Sequence, residues 1–236
     1  MSPRRLVLWD IDGTLLSTGP TGRLALERGA SHASGLDMST IPEVAMGGKT
    51  DPQIVAEILT ACGLAQDAVE RLLPAALREA ERALADDAGT MASEGSVHPG
   101  VVALLDRLAA TDGVRQTLLT GNIAPNARLK LRTFGMERYF DFDIGAYGDD
   151  HPNRDCLVPI ALERAQRLRG ARYAPEEVWV IGDTVHDLRC ANAGGVRCLI
   201  VGTGQAGTDA VRTLDADAVF DDLSDTDLVV KMLVGR

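Results

Sequence analysis

The sequence predicts an α/β fold, with a three-layer core and a mostly parallel sheet, interrupted after its first strand by an all-helical insertion. Three observations predict it. Short apolar runs, typical of strands buried on both faces, recur along the chain and end in polar residues. Segments with apolar residues three and four positions apart separate these runs, as crossover helices do. A long stretch rich in Ala, Leu, Glu and Arg follows the first run without a strand-like pattern.

Composition and charge narrow the class of protein. The 236 residues, 45% of them apolar, suffice for one large domain or for a core with a smaller insertion. A net charge of −10 argues against nucleic acid or an anionic membrane surface as the main partner. No apolar run reaches the roughly 18 residues of a membrane helix, and the four cysteines lack zinc-binding spacing. We expect a cytoplasmic protein, a monomer or homodimer, whose main partner is neither nucleic acid nor a membrane.

The first predicted strand is the apolar run from Leu6 to Trp9, which stops on Asp10 and Asp12. In parallel sheets the chemistry lies at the carboxyl ends of the strands, which is where Asp10 falls. Two carboxylates this close cannot both ionise without a cation or a shared proton, so the pair suggests a hard metal, or a nucleophile beside an acid. The structural alternative is a tight Asp-Gly turn in which Asp10 caps a helix.

The motif DIDGTLL, residues 10–16, resembles the first motif of the haloacid dehalogenase (HAD) superfamily of phosphotransferases. The resemblance implies a Rossmann-like core in which Asp10 is the nucleophile and forms an aspartyl-phosphate. It implies that Asp12 protonates the leaving alcohol and later deprotonates the attacking water. Both roles suit carboxylates, because a nucleophile divides ester hydrolysis into two easier steps and general acid catalysis contributes about 10²- to 10⁴-fold.

The helical insertion is predicted to contain helices near residues 23–30, 51–62 and 66–86, each with apolar residues at helical spacing. Helices inserted after the first core strand match the C1 cap of the HAD superfamily, which closes over the active site. The resemblance therefore implies a core domain of residues 1–16 and 97–236 and a cap domain of residues 17–96.

One cluster in the cap, residues 47–52, contains residue types that suit substrate binding. Gly48 permits close approach of the backbone, and Lys49 can meet an anionic substrate group beside a helix N-terminus. We expect both residues to contact the substrate. The alternative is a plain loop and helix cap.

The next predicted strand, near residues 114–119, ends on Thr120, Gly121 and Asn122. This ending resembles the second HAD motif, which implies that the Thr120 hydroxyl and neighbouring backbone N–H groups bind the phosphate oxygens. The alternative is an ordinary turn between strand and helix. The helix that follows contains Lys130, which we expect to be solvated rather than catalytic.

A third, shorter strand is predicted across residues 139–148, followed by a polar loop. The HAD superfamily usually places a lysine here to neutralise the phosphate, but the chain has only Lys49, Lys130 and Lys231. Arg154 is the natural substitute, because guanidinium is permanently charged and binds carboxylate or phosphate with two donors. The alternative is a loop arginine paired with a neighbouring acid.

The strand near residues 178–182 delivers Asp183 to the same sheet edge as Asp10, and Asp187 follows at a helix start. The motif resembles the fourth HAD motif, GDxxxD. The resemblance implies Mg²⁺ held by Asp10, the backbone carbonyl of Asp12 and Asp183, with Asp187 bound directly or through water; oxygen ligands of this kind suit Mg²⁺. The alternative is a helix cap at Asp183 followed by a first-turn acid.

The remaining segments predict strands near residues 196–201 and 218–220 and a last helix near 228–233. The glycine-containing loop at residues 202–207 lacks a dinucleotide-binding context. The whole pattern most resembles the phosphoglycolate phosphatase group, and implies a magnesium-dependent phosphatase acting on a small phosphomonoester, phosphoglycolate-like or a sugar phosphate. Two alternatives stay open, a phosphomutase of the β-phosphoglucomutase type and a non-catalytic protein that binds a phosphorylated ligand.

Overall fold

A five-stranded parallel sheet lies at the centre of the molecule. The computed structural model describes residues 4–235. The strands in that range are β1 (Arg5–Trp9), β2 (Leu16–Ser17), β3 (Ser96–Val97), β4 (Val114–Leu118), β5 (Val178–Gly182), β6 (Arg197–Val201) and β7 (Ala218–Phe220). The main sheet has the order β4–β1–β5–β6–β7 with all neighbours parallel, whereas β2 pairs with β3.

Helices make up most of the remaining regular structure. They are α1 (Thr21–Ser34), α2 (Asp51–Ala61), α3 (Gln66–Asp86), α4 (Ala88–Glu94), α5 (Val101–Ala109), α6 (Ala124–Thr133), α7 (Leu157–Arg169), α8 (Val185–Gly194), α9 (Gly207–Val211) and α10 (Thr226–Val234). Among the described helices, none is both long and apolar enough to span a membrane.

Helices cover both faces of the main sheet, and the side chains of β1 alternate between the two layers. Val7 and Trp9 pack with residues of α5, α6 and α10, while Leu6 and Leu8 pack with residues of α7 and α8. All four side chains are fully buried. Burial of both faces explains why the run carries no polar alternation. The predicted three-layer α/β core is confirmed.

The helical insertion, α1 to α4, lies between β2 and β3. These two strands pair antiparallel, with Leu16 opposite Val97, so the two chain crossings between core and insertion are adjacent. Apolar residues of α1, α2 and α3, among them Ile58, form a separate hydrophobic core. Gly29 lets α1 approach α3 closely, because a Cβ at this position would lie 2.3 Å from the Ala76 carbonyl oxygen. The arrangement agrees with the predicted all-helical cap.

The predicted strand across residues 139–148 is wrong. This segment forms two short 3-10 turns, Glu137–Tyr139 and Phe142–Ile144, and touches β4 at separate points. The Asp141 N–H donates to the Gln116 carbonyl at 3.0 Å, and the Ala146 N–H donates to the Leu118 carbonyl at 2.9 Å. Between these contacts the chain forms the turn Phe142–Ile144, so the segment does not pair with β4 as a continuous strand.

Candidate active site

Three carboxylates meet at the carboxyl ends of β1 and β5. Asp10 follows β1, while Asp183 and Asp187 follow β5, and one oxygen of each lies within 4.8 Å of the others. The two strand ends are joined by a hydrogen bond from the Asp10 N–H to the Ile181 carbonyl at 2.9 Å. All three side chains are buried, with Asp187 fully so. The sheet therefore brings together acids that are far apart in the chain, with 177 positions between Asp10 and Asp187.

Glycines leave space for these acids. A Cβ on Gly204 would lie 1.7 Å from Oδ2 of Asp183, and one on Gly13, where φ is +84°, would lie 2.4 Å from the same atom. Thr203 fixes the two loops to each other, because its hydroxyl donates to the Gly13 carbonyl at 2.6 Å. The loop at residues 202–207, which carried no prediction of a site role, thus forms one wall beside Asp183.

Asp187 is oriented by the start of α8. Its Oδ2 accepts hydrogen bonds from the Thr184 N–H at 3.0 Å and from the Thr184 hydroxyl at 2.7 Å. Thr184 is the N-cap of α8, so the alternative in which Asp183 caps this helix is wrong. Asp183 instead accepts a hydrogen bond at 3.1 Å from the hydroxyl of Thr14, in the loop after β1.

Arg154 lies inside the carboxylate cluster. It is 5% exposed, its Nη2 lies 3.1 Å from Oδ1 of Asp10, and the same nitrogen forms an ion pair with Asp187. The loop acids have other partners: Asp150 pairs with Arg164, and Asp155 with Arg189. The alternative of a loop arginine paired with a neighbouring acid is therefore wrong. The structure places the guanidinium against Asp10.

The electrostatics of the cluster favour an additional cation. Burial raises the pKa of the Asp10 carboxyl, and the nearby charge of Asp187 raises it further, against the opposing effect of Arg154. Burial likewise raises the pKa of Asp183, with contributions in the same direction from Asp187 and Asp10. One guanidinium thus offsets only part of the charge that three buried carboxylates would carry.

Asp12 belongs to a second, adjoining cluster. Its Oδ2 accepts hydrogen bonds from Nζ of Lys130 at 2.6 Å and from Nδ2 of Asn122 at 2.8 Å. Asn122 in turn accepts a hydrogen bond from Lys130 at 2.6 Å. Its Nδ2 also donates at 2.9 Å to the hydroxyl of Thr120. The predicted residues Asp12, Thr120 and Asn122 are therefore brought together with Lys130.

The expectation that Lys130 is solvated is wrong, because the residue is only 5% exposed. Asn126, Ala127, Lys130 and Leu131 form the buried side of α6. The neighbouring Leu129 packs against buried residues of the helical cap. A lysine on the buried side of an amphipathic helix was the available sequence signal, since a buried ammonium requires a partner such as Asp12.

The cap loop, residues 47–51, contacts the core beside this cluster. The Asp51 N–H donates to the Gly121 carbonyl at 2.7 Å, and Asp51 Oδ2 accepts from the Ile123 N–H at 3.0 Å. The Thr50 hydroxyl donates to the Pro152 carbonyl at 3.2 Å. Burial raises the pKa of Asp51 to about 6. Asp51 was not among the residues predicted for the site, so sequence reasoning missed this contact with the core.

Gly48 and Lys49 lie in the cap loop but differ in their surroundings. The Gly48 backbone sits against α8, since a Cβ there would lie 2.5 Å from the His186 ring. The Gly48 carbonyl also accepts a hydrogen bond from Arg154 at 3.3 Å. The Lys49 amine forms an ion pair with Glu57 of α2. Contact between Lys49 and a substrate stays a prediction, and it would require exchange of this partner.

Comparisons with known proteins identify relatives of the chain. The family model for haloacid dehalogenase-like hydrolases matches residues 7–192. The tyrosine-protein kinase PtkA of Mycobacterium tuberculosis is 31% identical over 207 residues, or 88% of this chain, and the chain spans only 65% of the length of that relative. A phosphoglycolate phosphatase of Cereibacter sphaeroides is 30% identical over 194 residues, covering 81% of this chain and 82% of the relative.

Solved structures of low sequence identity share the fold. A haloacid dehalogenase-like family hydrolase from Streptococcus pneumoniae has a TM-score of 0.65 at 16% identity, covering 97% of this chain and 99% of that one. CbbY from Rhodobacter sphaeroides, solved in complex with phosphate, has a TM-score of 0.63 at 20% identity, covering 95% and 96%. The family model, the two relatives and the arrangement of acids at the strand ends lead to one conclusion. The chain belongs to the haloacid dehalogenase-like hydrolase family.

Proposed function

We propose that this chain is a magnesium-dependent phosphatase that hydrolyses a small phosphomonoester through an aspartyl-phosphate intermediate. One observation carries the proposal: Asp10 lies among Asp183, Asp187 and Arg154 at the sheet edge, with Asp12 two residues further along the chain. The relative named phosphoglycolate phosphatase supports a small acidic ester as the substrate. Phosphoglycolate is therefore the first candidate, and sugar phosphates are the second.

The donor atoms of the cluster fit a hard divalent cation. They are carboxylate oxygens within 4.8 Å of one another, and oxygen ligands of this kind suit Mg²⁺. We propose Asp10, Asp183 and the backbone carbonyl of Asp12 as ligands. Thr184 and Arg154 engage the carboxylate of Asp187, so this residue would act through water. When bound, the metal would orient the phosphoryl group and offset its charge.

Within this proposal Asp10 is the nucleophile and Arg154 its fixed counter-charge. The carboxylate of Asp10 forms the bond to phosphorus, and the buried guanidinium favours its ionised form. We propose that Arg154 also donates to the equatorial oxygens of the phosphoryl group, whose negative charge is spread over three atoms. The arginine thereby performs the role that the family usually gives to a lysine.

Thr120 supplies a further donor for phosphate. Its hydroxyl oxygen accepts hydrogen bonds from the Asn122 side chain at 2.9 Å and from the Asn122 N–H at 3.3 Å. Since both lone pairs of the oxygen are used, its own hydrogen is available to donate. Gly121 must lack a side chain, because a Cβ there would lie 2.0 Å from the Lys49 carbonyl oxygen. We propose that backbone N–H groups beside Gly121 donate to the phosphate together with the Thr120 hydroxyl.

Asp12 is proposed to be the acid and base. It protonates the leaving oxygen in the first step and accepts a proton from the attacking water in the second. Its side chain is 42% exposed, the most open of the acids proposed for the site, and so it can reach a substrate. We propose that residues 17–96 act as the cap domain and exclude water while the phosphoryl group is transferred.

The direct test is phosphate release from a panel of phosphomonoesters, including 2-phosphoglycolate and sugar phosphates. Release should require Mg²⁺ and should stop after exhaustive chelation. Asp10→Asn should remain folded by circular dichroism and lose turnover, because an amide is a poor nucleophile. Full activity in this variant, or in chelated wild-type protein, would contradict the mechanism.

Transfer of the phosphoryl group to tyrosine is the second candidate, because a relative that is 31% identical is named a tyrosine-protein kinase. The chain itself has Tyr139, Tyr147 and Tyr173 as internal acceptors. Incubation with γ-labelled ATP distinguishes the two functions. Label in tyrosine without release of phosphate from any monoester would favour the kinase.

The two earlier alternatives are tested in the same assays. A phosphomutase would convert one sugar phosphate into its isomer without releasing phosphate. A non-catalytic protein would bind a phosphomonoester and turn over none of the panel. Hydrolysis with stoichiometric release of phosphate would exclude both.

A further inference from the structure

Lys130 is a buried cation that the proposed mechanism does not use. Its side chain is 6% exposed, whereas the side chain of its ion-pair partner Asp12 is 42% exposed. Its ammonium has two acceptors, Oδ2 of Asp12 and Oδ1 of Asn122, both at 2.6 Å. The hydrogen bonds of Lys130 thus go to the proposed acid and to its neighbour Asn122.

We propose that Lys130 is a positioning residue that fixes the carboxyl of Asp12 for proton transfer. The inference rests on the proposed phosphatase function and concerns only its acid and base. In this inference Lys130 and Asn122 together hold the carboxyl group that transfers the catalytic proton. The ammonium is brought from the middle of α6, 118 positions further along the chain.

The hydrogen bonds at Asp12 determine which of its two oxygens is open for proton transfer. Lys130 and Asn122 both donate to Oδ2, and two donors facing one oxygen leave no place for a proton on it. Oδ1 of Asp12 has no hydrogen-bond partner among the residues that the structure describes, 4–235. Oδ1 is therefore the oxygen that is free to face the leaving oxygen and to exchange a proton with it.

These contacts hold Oδ2 in place while Oδ1 exchanges the proton in both steps of the reaction. In the first step Asp10 bonds to phosphorus, the bond from phosphorus to the leaving oxygen breaks, and the proton on Asp12 Oδ1 passes to that oxygen. In the second step a water oxygen bonds to phosphorus, a proton of that water passes to Oδ1, and the bond between phosphorus and Asp10 breaks. Between the steps Asp12 is ionised, and Lys130 stabilises that carboxylate by a charge-assisted hydrogen bond.

A purely structural role for Lys130 is the competing explanation. Asp51 of the cap loop is also near enough for the charge of Lys130 to lower its pKa, against the larger effect of burial. Lys130 would then serve mainly to attach the cap. However, the hydrogen bonds of the ammonium go to Asp12 and Asn122, while Asp51 is held by Ile123 and Asn126. The two roles predict different kinetics.

The test compares an ester whose leaving group needs a proton with one whose leaving group does not. Lys130→Met removes the charge and the donors at similar length. With 2-phosphoglycolate it should lower kcat by about 10²-fold with little change in KM, as loss of general acid catalysis does. With p-nitrophenyl phosphate the first step should be nearly unchanged and only the second step slowed. The ratio of burst rate to steady-state rate should therefore rise by about 10²-fold over wild type.

The matched control is Arg132→Met on the same helix, where Arg132 is 62% exposed and pairs with Glu137. This control should keep the wild-type kinetics with both esters. Lys130→Arg keeps the charge and should recover part of the lost kcat. If Lys130→Met does not fold, Lys130→Gln takes its place in the same measurements.

A double variant separates positioning from structural damage. In an Asp12→Asn background, Lys130→Met should change the remaining rate by less than about 3-fold, because two residues that act as one unit are not additive. Additive losses, an equal loss on both esters without a change in burst ratio, or a raised KM with normal kcat would overturn the role of Lys130. If wild-type protein releases phosphate from no ester of the panel, the proposed function is wrong. If wild-type protein is active and Lys130→Met has the same kinetics with both esters, only the inference about Lys130 is wrong.

Discussion

At the scale of single residues, the cation beside the expected nucleophile is Arg154, where the family usually has a lysine. We expect Arg154→Ala to lower kcat by about 10²- to 10³-fold, as loss of a preorganised charge-stabilising donor does. Arg154→Lys should recover only part, since lysine is shorter and lacks the second terminal nitrogen, Nη1, with which the guanidinium also donates to the Gly48 carbonyl. Steady-state kinetics at saturating substrate and magnesium measure kcat of both variants. Near-normal kcat in Arg154→Ala would refute the assignment.

Gly204 is a second residue whose position determines its role. A methyl group here would lie 1.7 Å from Oδ2 of Asp183, so Gly204→Ala should displace that carboxylate. We expect the apparent Kd for Mg²⁺ to rise by about tenfold or more, as changes beside metal ligands do. The measurement is a magnesium titration of activity.

Gly89→Ala is the control for Gly204→Ala. Gly89 lies in α4, and a methyl group added there would meet no atom of another element within 4 Å, so the change should leave the magnesium titration unaltered. It should also stabilise the helix by about 0.5–1 kcal/mol, because alanine restricts the unfolded chain. Equal magnesium affinity in the two variants would show that Asp183 tolerates the displacement.

At the scale of elements, the N-terminus of α2 joins the cap to the core. Asp51 Oδ2 accepts hydrogen bonds from the Ile123 N–H at 3.0 Å and from Asn126 at 3.4 Å. Asp51→Ala leaves the Ile123 N–H without its acceptor, which costs about 1–3 kcal/mol for a buried donor. We expect faster hydrogen exchange at residues 121–126 and in the first turn of α2. Asp51→Asn keeps an acceptor, so the amide hydrogens of residues 121–126 should exchange more slowly in this variant than in Asp51→Ala.

The matched control for this element is Asp67→Ala, a first-turn acid of α3 whose side chain is 82% exposed. Exchange at residues 121–126 should equal that of wild-type protein. If Asp67→Ala accelerates exchange as much as Asp51→Ala does, the effect comes from general destabilisation of the cap. The hydrogen bonds of Asp51 to α6 would then not be the contact that holds the cap loop in place.

At the scale of the whole molecule, we expect Mg²⁺ to raise Tm more at pH 8.5 than at pH 6. Burial raises the pKa of Asp10 and Asp183 in the metal-free protein. The native state therefore binds more protons than the unfolded state above pH 4, so metal-free stability falls as pH rises through the raised pKa values. A cation offsets this loss, and at lower pH protons compete with it for the carboxylates.

Thermal unfolding at constant ionic strength, with and without Mg²⁺, measures this dependence. The increase in Tm should grow with pH in wild-type protein and should be much smaller in Asp183→Asn. A magnesium effect that is equal at both pH values, or that survives in Asp183→Asn, would place the ion away from these acids.

The fold class and the strand ends could be read from the sequence because they depend on local patterns. Apolar runs predicted β1, β4 and β5, and the order of strands and helices placed Asp10, Thr120 and Asp183 at one sheet edge. Where the local signal was weak the prediction failed, as at residues 139–148, where β4 is joined at separated points instead of by a strand. The roles of the site residues stay predictions until the variants are measured.

The contacts that complete the site were decided by tertiary structure alone. Lys130 lies 118 positions from Asp12. Asp51 lies 72 positions from Ile123, and Gly204 lies beside Asp183 only because two loops meet. Sequence periodicity reports which side of a helix is buried, but not which side chain it will face. A buried ammonium or carboxylate is stable only beside its partner, and the packing of cap, helix and sheet decides which partner that is.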